Sequence, residues 1–111
     1  MSGNNRRSRI EDTRIIRLVL AGDTEQFRLL VDKHKRRVYN LVFRILRNPE
    51  QASDVAQETF LRAFQKLSKY NSDYPFHSWL LKIAQNNAFQ WLRGKGRKME
   101  LSDPAQGDSS I

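Results

Sequence analysis

Apolar residues recur at helical spacing along three stretches of the chain. Phe27, Leu30, Val31, Val38, Leu41, Val42 and Ile45, with His34 in register among them, predict one long helix reaching to about Arg47. "NPEQ" then restarts the chain, with Asn48 as N-cap, Pro49 at the first helical position and Gln51 three residues after the cap, so a second helix is expected to about Ser68. Pro75 opens a third, from Phe76 to about Arg93, where "GKG" weakens the helix. Ahead of these, "RLVLAGDTEQF" reads as a short helix ending at Gly22 as a C′ glycine, with Asp23 and Gln26 spaced for a capping box on the next helix. "KYNSDYP" is expected as a loop, and "SDPAQGDSSI" as a flexible acidic tail or the start of a linker. There is no strand pattern and no repeat. The expected fold is all-α: a compact bundle of three main helices plus a short N-terminal helix.

The second helix, placed on a wheel, has two distinct sides. Ala52, Val55, Ala56, Thr59, Phe60, Ala63 and Leu67 make a core face whose small residues allow close packing. Asp54, Gln57, Glu58, Leu61 and Gln65 lie about half a turn away. A solvated helix back ordinarily carries Lys/Glu pairs; this one is mostly acceptors around a leucine. It fits either a plain solvated face or a docking face with an apolar anchor ringed by polar contacts.

The third helix has the opposite chemistry. Leu80, Leu81, Ala84, Ala88, Trp91 and Leu92 are expected in the core. Opposite them run Lys82, Asn86, Gln90 and Arg93, with Trp79 at the head. Lys and Arg neutralise phosphates, Asn and Gln offer paired donors and acceptors to base edges, and an indole stacks on an unpaired base, although Trp79 would equally suit the core. Lys69, Tyr70, Asn71 and Tyr74 precede this helix, and "RGKGRK", with Lys95, Arg97 and Lys98, follows it. Basic residues interleaved with aromatics point to single-stranded or opened nucleic acid.

Charge sharpens that division. The 111 residues carry a formal net charge of +8, yet residues 49–68 sum to −1 while residues 69–98 sum to +5. A polyanion for one surface and a different partner for the other is the natural reading. With no cysteine there is neither a disulfide framework nor a thiolate metal site, which suits a reducing cytoplasm. No apolar run approaches the roughly 18 residues of a membrane span, and the N-terminus does not resemble a signal peptide. Asp54 and Glu58 could be imagined as a metal pair, but the only histidines, His34 and His77, lie on other helices. "GKG" lacks the Walker spacing, and the basic face has no clustered carboxylates for nuclease chemistry. The chain is expected to act by binding, without catalysis, a cofactor or a small-molecule substrate.

"NPEQASDVAQETFLRAFQKLSKY" followed by "PFHSWLLKIAQNNAFQWLR" resembles conserved region two of bacterial sigma-70 family sigma factors, most closely the extracytoplasmic-function (ECF) group. The resemblance spans residues 12–98, leaving residues 1–11 as a flexible basic N-terminus and 99–111 as the acidic tail. It implies that Asp54, Gln57 and Glu58, with Leu61 beside them, dock on the β′ clamp helices of core RNA polymerase. It further implies that residues 70–76, with Tyr70, Asn71, Tyr74 and Phe76, capture the non-template strand of the promoter's minus-ten element together with Trp79, Lys82, Asn86 and Gln90. Arg93, Lys95, Arg97 and Lys98 would then hold backbone phosphates, and an anti-sigma factor is a further implied partner. The chain departs from the family's pattern at His77 and Gln90. The second sigma domain, which reads the minus-thirty-five element, is not in this sequence, and a fragment of a longer chain is expected over a naturally short factor. The rival reading is a helical DNA- or RNA-binding regulator that never meets polymerase; it would have no use for the Asp54/Gln57/Glu58 stripe.

Overall fold

The computed structural model describes residues 2–96, with side chains over residues 6–94. Four helices follow in order: α1 (Ser2–Leu20), α2 (Phe27–Leu46), α3 (Pro49–Gln65) and α4 (Phe76–Gly96), with 3-10 turns at Thr24–Gln26 and Leu67–Lys69. Among the described residues there is no strand, so the all-α expectation stands. Helices α2, α3 and α4 pack mutually, while α1 lies on the first 3-10 turn and α2 and touches α4 and the second 3-10 turn.

The predicted starts and stops are largely present. Asn48 caps α3, its Oδ1 accepting from the Gln51 N–H at 2.9 Å, with Pro49 behind it. Gly22 closes α1 at φ +117°, where a Cβ would meet no neighbour within 4 Å, so backbone conformation rather than space calls for glycine. The Gly22 N–H reaches the Val19 carbonyl and the Asp23 N–H the Leu18 carbonyl, each at 3.0 Å, the paired bonds of a Schellman closure. The expected capping box is absent: Asp23 makes no side-chain cap, and Gln26 Nε2 instead donates to Asp23 Oδ2 at 3.1 Å. A 3-10 turn stands between Asp23 and α2, and it moves the two side chains out of box register.

Helix bounds differ from expectation in three places. Helix α3 ends at Gln65, and the 3-10 turn carries the chain on to Lys69. Helix α4 continues through the glycines to Gly96. The largest difference is α1, whose 19 residues take in a stretch expected to be flexible. Its sequence is polar and basic, but Ile15, Ile16 and Val19 are buried and Asp12 is only 4% exposed. Tertiary contacts, rather than local propensity, hold such a helix.

The core contains all seven residues predicted for α3, and Phe27, Leu30, His34, Val38 and Val42 of α2. Val31, Leu41 and Ile45 flank it, and Leu46 joins it. On α4 the expectation needs correction. Leu80, Ala84 and Ala88 are buried and Leu81 is half-buried, but Trp91 and Leu92 are 37% and 41% exposed. The buried run of α4 ends at Ala88, one turn before these two residues. Asn87 is buried instead: its Nδ2 donates to Thr59 Oγ1 at 3.2 Å, and Thr59 Oγ1 donates to the Val55 carbonyl at 2.8 Å. These bonds pin α4 to α3 through the core.

Candidate nucleic-acid interface and docking face

The outer side of α3 presents Asp54, Gln57 and Gln65 exposed, with Leu61 at 57% exposure among them. Glu58 is half-buried and held by Arg62 Nη2 at 2.9 Å, one turn on. All four residues expected at a docking face therefore share one surface. Sequence reasoning missed its apolar margin. Phe64 is 38% exposed and meets Phe27 edge-to-face at 5.2 Å, and beside Leu61 the two rings, Phe60, Glu25 and Arg28 line an open groove. The signal lay in Phe64 sitting three residues beyond Leu61, at the border of the two faces.

The second surface is built by residues 70–75 and α4. Asn71 Oδ1 accepts from the Asp73 N–H at 2.9 Å and the Asn71 carbonyl from the Tyr74 N–H at 3.2 Å, folding the loop into a tight turn. The Tyr70 hydroxyl donates to the Tyr74 carbonyl and closes that turn. Asn71 and Tyr74 are exposed, Tyr74 by 62%. Beneath them Tyr70, Phe76 and Trp79 pack as a trio, with ring centroids 5.3 to 5.7 Å apart.

Phe76 is 2% exposed, so it is the floor of this cluster and does not contact solvent, contrary to its expected place among the DNA-binding residues. As the first residue of α4, it points into the bundle against His34. Trp79 is half-buried and packs against the core. Lys69, Lys82, Asn86 and Arg93 are exposed and Gln90 is half-buried, so one face of α4 continues the surface away from the loop. Lys95 falls within α4 but beyond the described side chains, and Arg97 and Lys98 lie outside the described residues.

Burial sets the protonation of this surface. It raises the Tyr70 phenol above its ordinary value, keeping the hydroxyl a donor. Burial, reinforced by the charge of Arg37, lowers His77 below the ordinary imidazole range, so the ring is neutral at neutral pH. A neutral, half-buried ring adds no positive charge to a face that carries Lys82 and Arg93.

Behind the loop lies a group that the residue pattern alone does not announce. Asp12 Oδ2 meets His34 Nε2 at 2.9 Å and Asp12 Oδ1 accepts from Lys33 Nζ at 2.8 Å, while Arg9 reaches the loop backbone. The available signal was His34, a titratable ring on an apolar face, which calls for a buried polar partner.

Residues 30–98 match the family described as Sigma-70 region 2. The chain is 34% identical over 101 residues to RNA polymerase sigma-H factor of Pseudomonas aeruginosa, covering 91% of this chain and 52% of that one. It is 36% identical over 96 residues to ECF RNA polymerase sigma factor SigW of Bacillus subtilis, covering 86% and 51%. To ECF RNA polymerase sigma-E factor of Escherichia coli it is 34% identical over 94 residues, covering 85% and 49%. The chain thus spans about half the length of these curated relatives. Among solved structures, it resembles an engineered region 2 of sigmaE in complex with GTAAAA, with a TM-score of 0.73, 35% identity, and coverage of 81% of this chain and 94% of that one. The match over most of the folded chain, on a fold shared at that level, means that this protein belongs to the sigma-70 region 2 family, in the company of ECF sigma factors.

Proposed function

We propose that this chain is the region 2 part of an ECF-type sigma factor, which docks on core RNA polymerase through α3 and captures the minus-ten element through the loop at residues 70–75 and α4. The observation that carries the proposal is the second surface: exposed Asn71 and Tyr74 over a Tyr70–Phe76–Trp79 cluster, continued by Lys82, Asn86 and Arg93. The likeness to a sigmaE region 2 solved with GTAAAA supports it. The non-template strand is taken unpaired, since an amide edge and a half-buried indole suit a base that has left its stack. Unstacking costs a few kcal/mol, which stacking and hydrogen bonds on this face offset.

The α3 face meets the β′ clamp helices with Leu61 as apolar anchor and Asp54, Gln57 and Glu58 around it. Its acceptors are complementary to basic or amide-rich helices. The protein works in the cytoplasm by binding alone, and an anti-sigma factor is a further partner. Among the described residues no helix is long and apolar enough to cross a membrane.

The test compares minus-ten motif and scrambled single strands, and the motif as duplex, with core polymerase supplied. The motif strand should bind best, and Asn86→Ala should erase its advantage over the scrambled strand, because one good base contact is worth about 1–3 kcal/mol. Arg93→Ala should lower both affinities together. Equal binding of motif and scrambled strands by the unaltered protein would refute the assignment. Failure to retain core polymerase would leave the DNA- or RNA-binding regulator as the better reading.

A further inference from the structure

We infer that α1 holds the recognition loop in its binding shape, with Arg9, Asp12 and His34 as positioning residues for strand capture; this rests on the functional reading above. Arg9 Nη2 donates to the carbonyls of Ser72 and Asp73, at 3.3 and 3.1 Å, from more than sixty residues away. These carbonyls belong to the turn that leaves Asn71 and Tyr74 exposed. The other hydrogen bonds described for the turn are internal, from Asp73 and Tyr74 to Asn71 and from Tyr70 to Tyr74. Arg9 therefore tethers it to a second helix.

The anchorage of α1 lies one turn further along, and it reaches the same cluster from below. Asp12, 4% exposed, accepts from Lys33 Nζ on one oxygen and bonds His34 Nε2 with the other. Lys33 Nζ also reaches the Ser8 carbonyl and Glu11 Oε1, at 3.2 and 3.1 Å, so three residues next to Arg9 are fixed to α2. The His34 ring lies 5.5 Å from Phe76, the floor under Tyr70 and Trp79. Among the described residues His34 Nδ1 is buried without a hydrogen-bond partner, and Asp12 is the hydrogen-bond partner that orients this ring. The strap thus holds the loop at two points: its backbone through Arg9, and its aromatic base through Asp12, His34 and Phe76.

The chemistry distinguishes a strap from a phosphate contact. Both Arg9 bonds leave the one Nη2, whose two N–H groups are fixed in the guanidinium plane at the end of a side chain longer than lysine's, whereas a lysine ammonium carries the same charge as a point that ends short of that position. Arg9→Lys keeps the charge and loses the reach and the fixed plane. The variants are made in the 111-residue chain carrying Trp91→Phe, which leaves Trp79 as the one indole. Binding is measured to motif and scrambled single strands with core polymerase present, and Trp79 emission is read without DNA. Arg9→Lys and Arg9→Ala should each reduce the motif-to-scrambled affinity ratio by about tenfold, the scale of one missing charge-assisted hydrogen bond. The scrambled-strand affinity of Arg9→Lys should stay at the unsubstituted level. Trp79 emission should shift in both Arg9 variants and in Asp12→Asn, but not in Arg7→Ala, a neighbouring cation outside the strap.

A full motif preference in Arg9→Lys would show that charge alone matters and overturn the inference. Equal loss of motif and scrambled binding in Arg9→Ala, with unchanged emission, would make Arg9 a phosphate contact and overturn it too. If the unsubstituted chain itself failed to discriminate, the functional reading would fall. Trp79 emission would still judge the strap, and no shift in any of the three variants would remove it.

Discussion

Asp12 shows how one carboxylate can join two parts of the chain at a calculable cost in acid. Burial acts to raise its carboxyl, but the hydrogen bonds and charges of His34 and Lys33 outweigh burial and hold it below its ordinary value of 3.8. A carboxyl depressed in the folded state takes up its proton more readily once the chain unfolds. Its contribution to stability is therefore complete above the unfolded value and disappears as pH falls through the lower folded one. Asp12→Asn should lower the melting temperature at neutral pH, and the gap from the unsubstituted protein should begin to narrow near pH 3.8, where the unfolded carboxyl takes up its proton, and close as pH falls on through the lower folded value. Thermal melts from neutral pH down through that value test this; a gap independent of pH would show that shape, and not charge, is what Asp12 supplies. No hydrophobic pattern announces such a residue, because its partners His34 and Lys33 lie more than twenty positions away.

Among the elements, the core face of α3 was fully legible and that of α4 only in part, and the reason is geometric. Periodicity identifies which side of a helix is apolar, and for α3 every residue on that side is buried. It does not tell how far the neighbouring helices extend, so it places Trp91 and Leu92 in a core that ends, among the described residues of α4, at Ala88. Nor does it recognise a buried amide such as Asn87, which looks like surface until Thr59 is placed opposite. The two faces proposed for binding are readable where their residues recur on the sides their helices leave free, Phe76 apart, which is buried; the length of α1 and its grip on the loop are not, since long-range polar contacts create them. Thr59→Val should cost about 1–3 kcal/mol in urea denaturation, since it keeps the volume and leaves the buried Asn87 amide short of its acceptor. A cost well under that range would mean water replaces the hydroxyl. The outer side of α3 should behave in the opposite way. Asp54→Ala with Gln57→Ala should weaken core polymerase binding while stability moves within about 0.5 kcal/mol, as both side chains are exposed. Unchanged affinity for core polymerase in that double variant would remove α3 as the docking helix.

For the whole molecule, the proposed reading has charge and shape divide the work between affinity and selectivity. Replacing Arg93, Lys95, Arg97 and Lys98 with Gln should weaken binding to all strands about equally. The slope of log affinity against log salt should flatten by about 0.7 for each phosphate of a single strand that is no longer neutralised. A weakening confined to one sequence would show that these residues read bases. Selectivity would stay with the loop and the middle of α4, which the bundle holds at a fixed attitude to α3. The Thr59–Asn87 hydrogen bond joins those two helices through the core. On the proposed reading, their packing works as a protractor. An enzyme seated on α3 finds α4 already pointing along one bearing, so the place where the strands first part is measured from the enzyme by the angle between two helices. A core substitution that rotated α4 by a few degrees would leave every contact residue in place and still move that opening along the DNA.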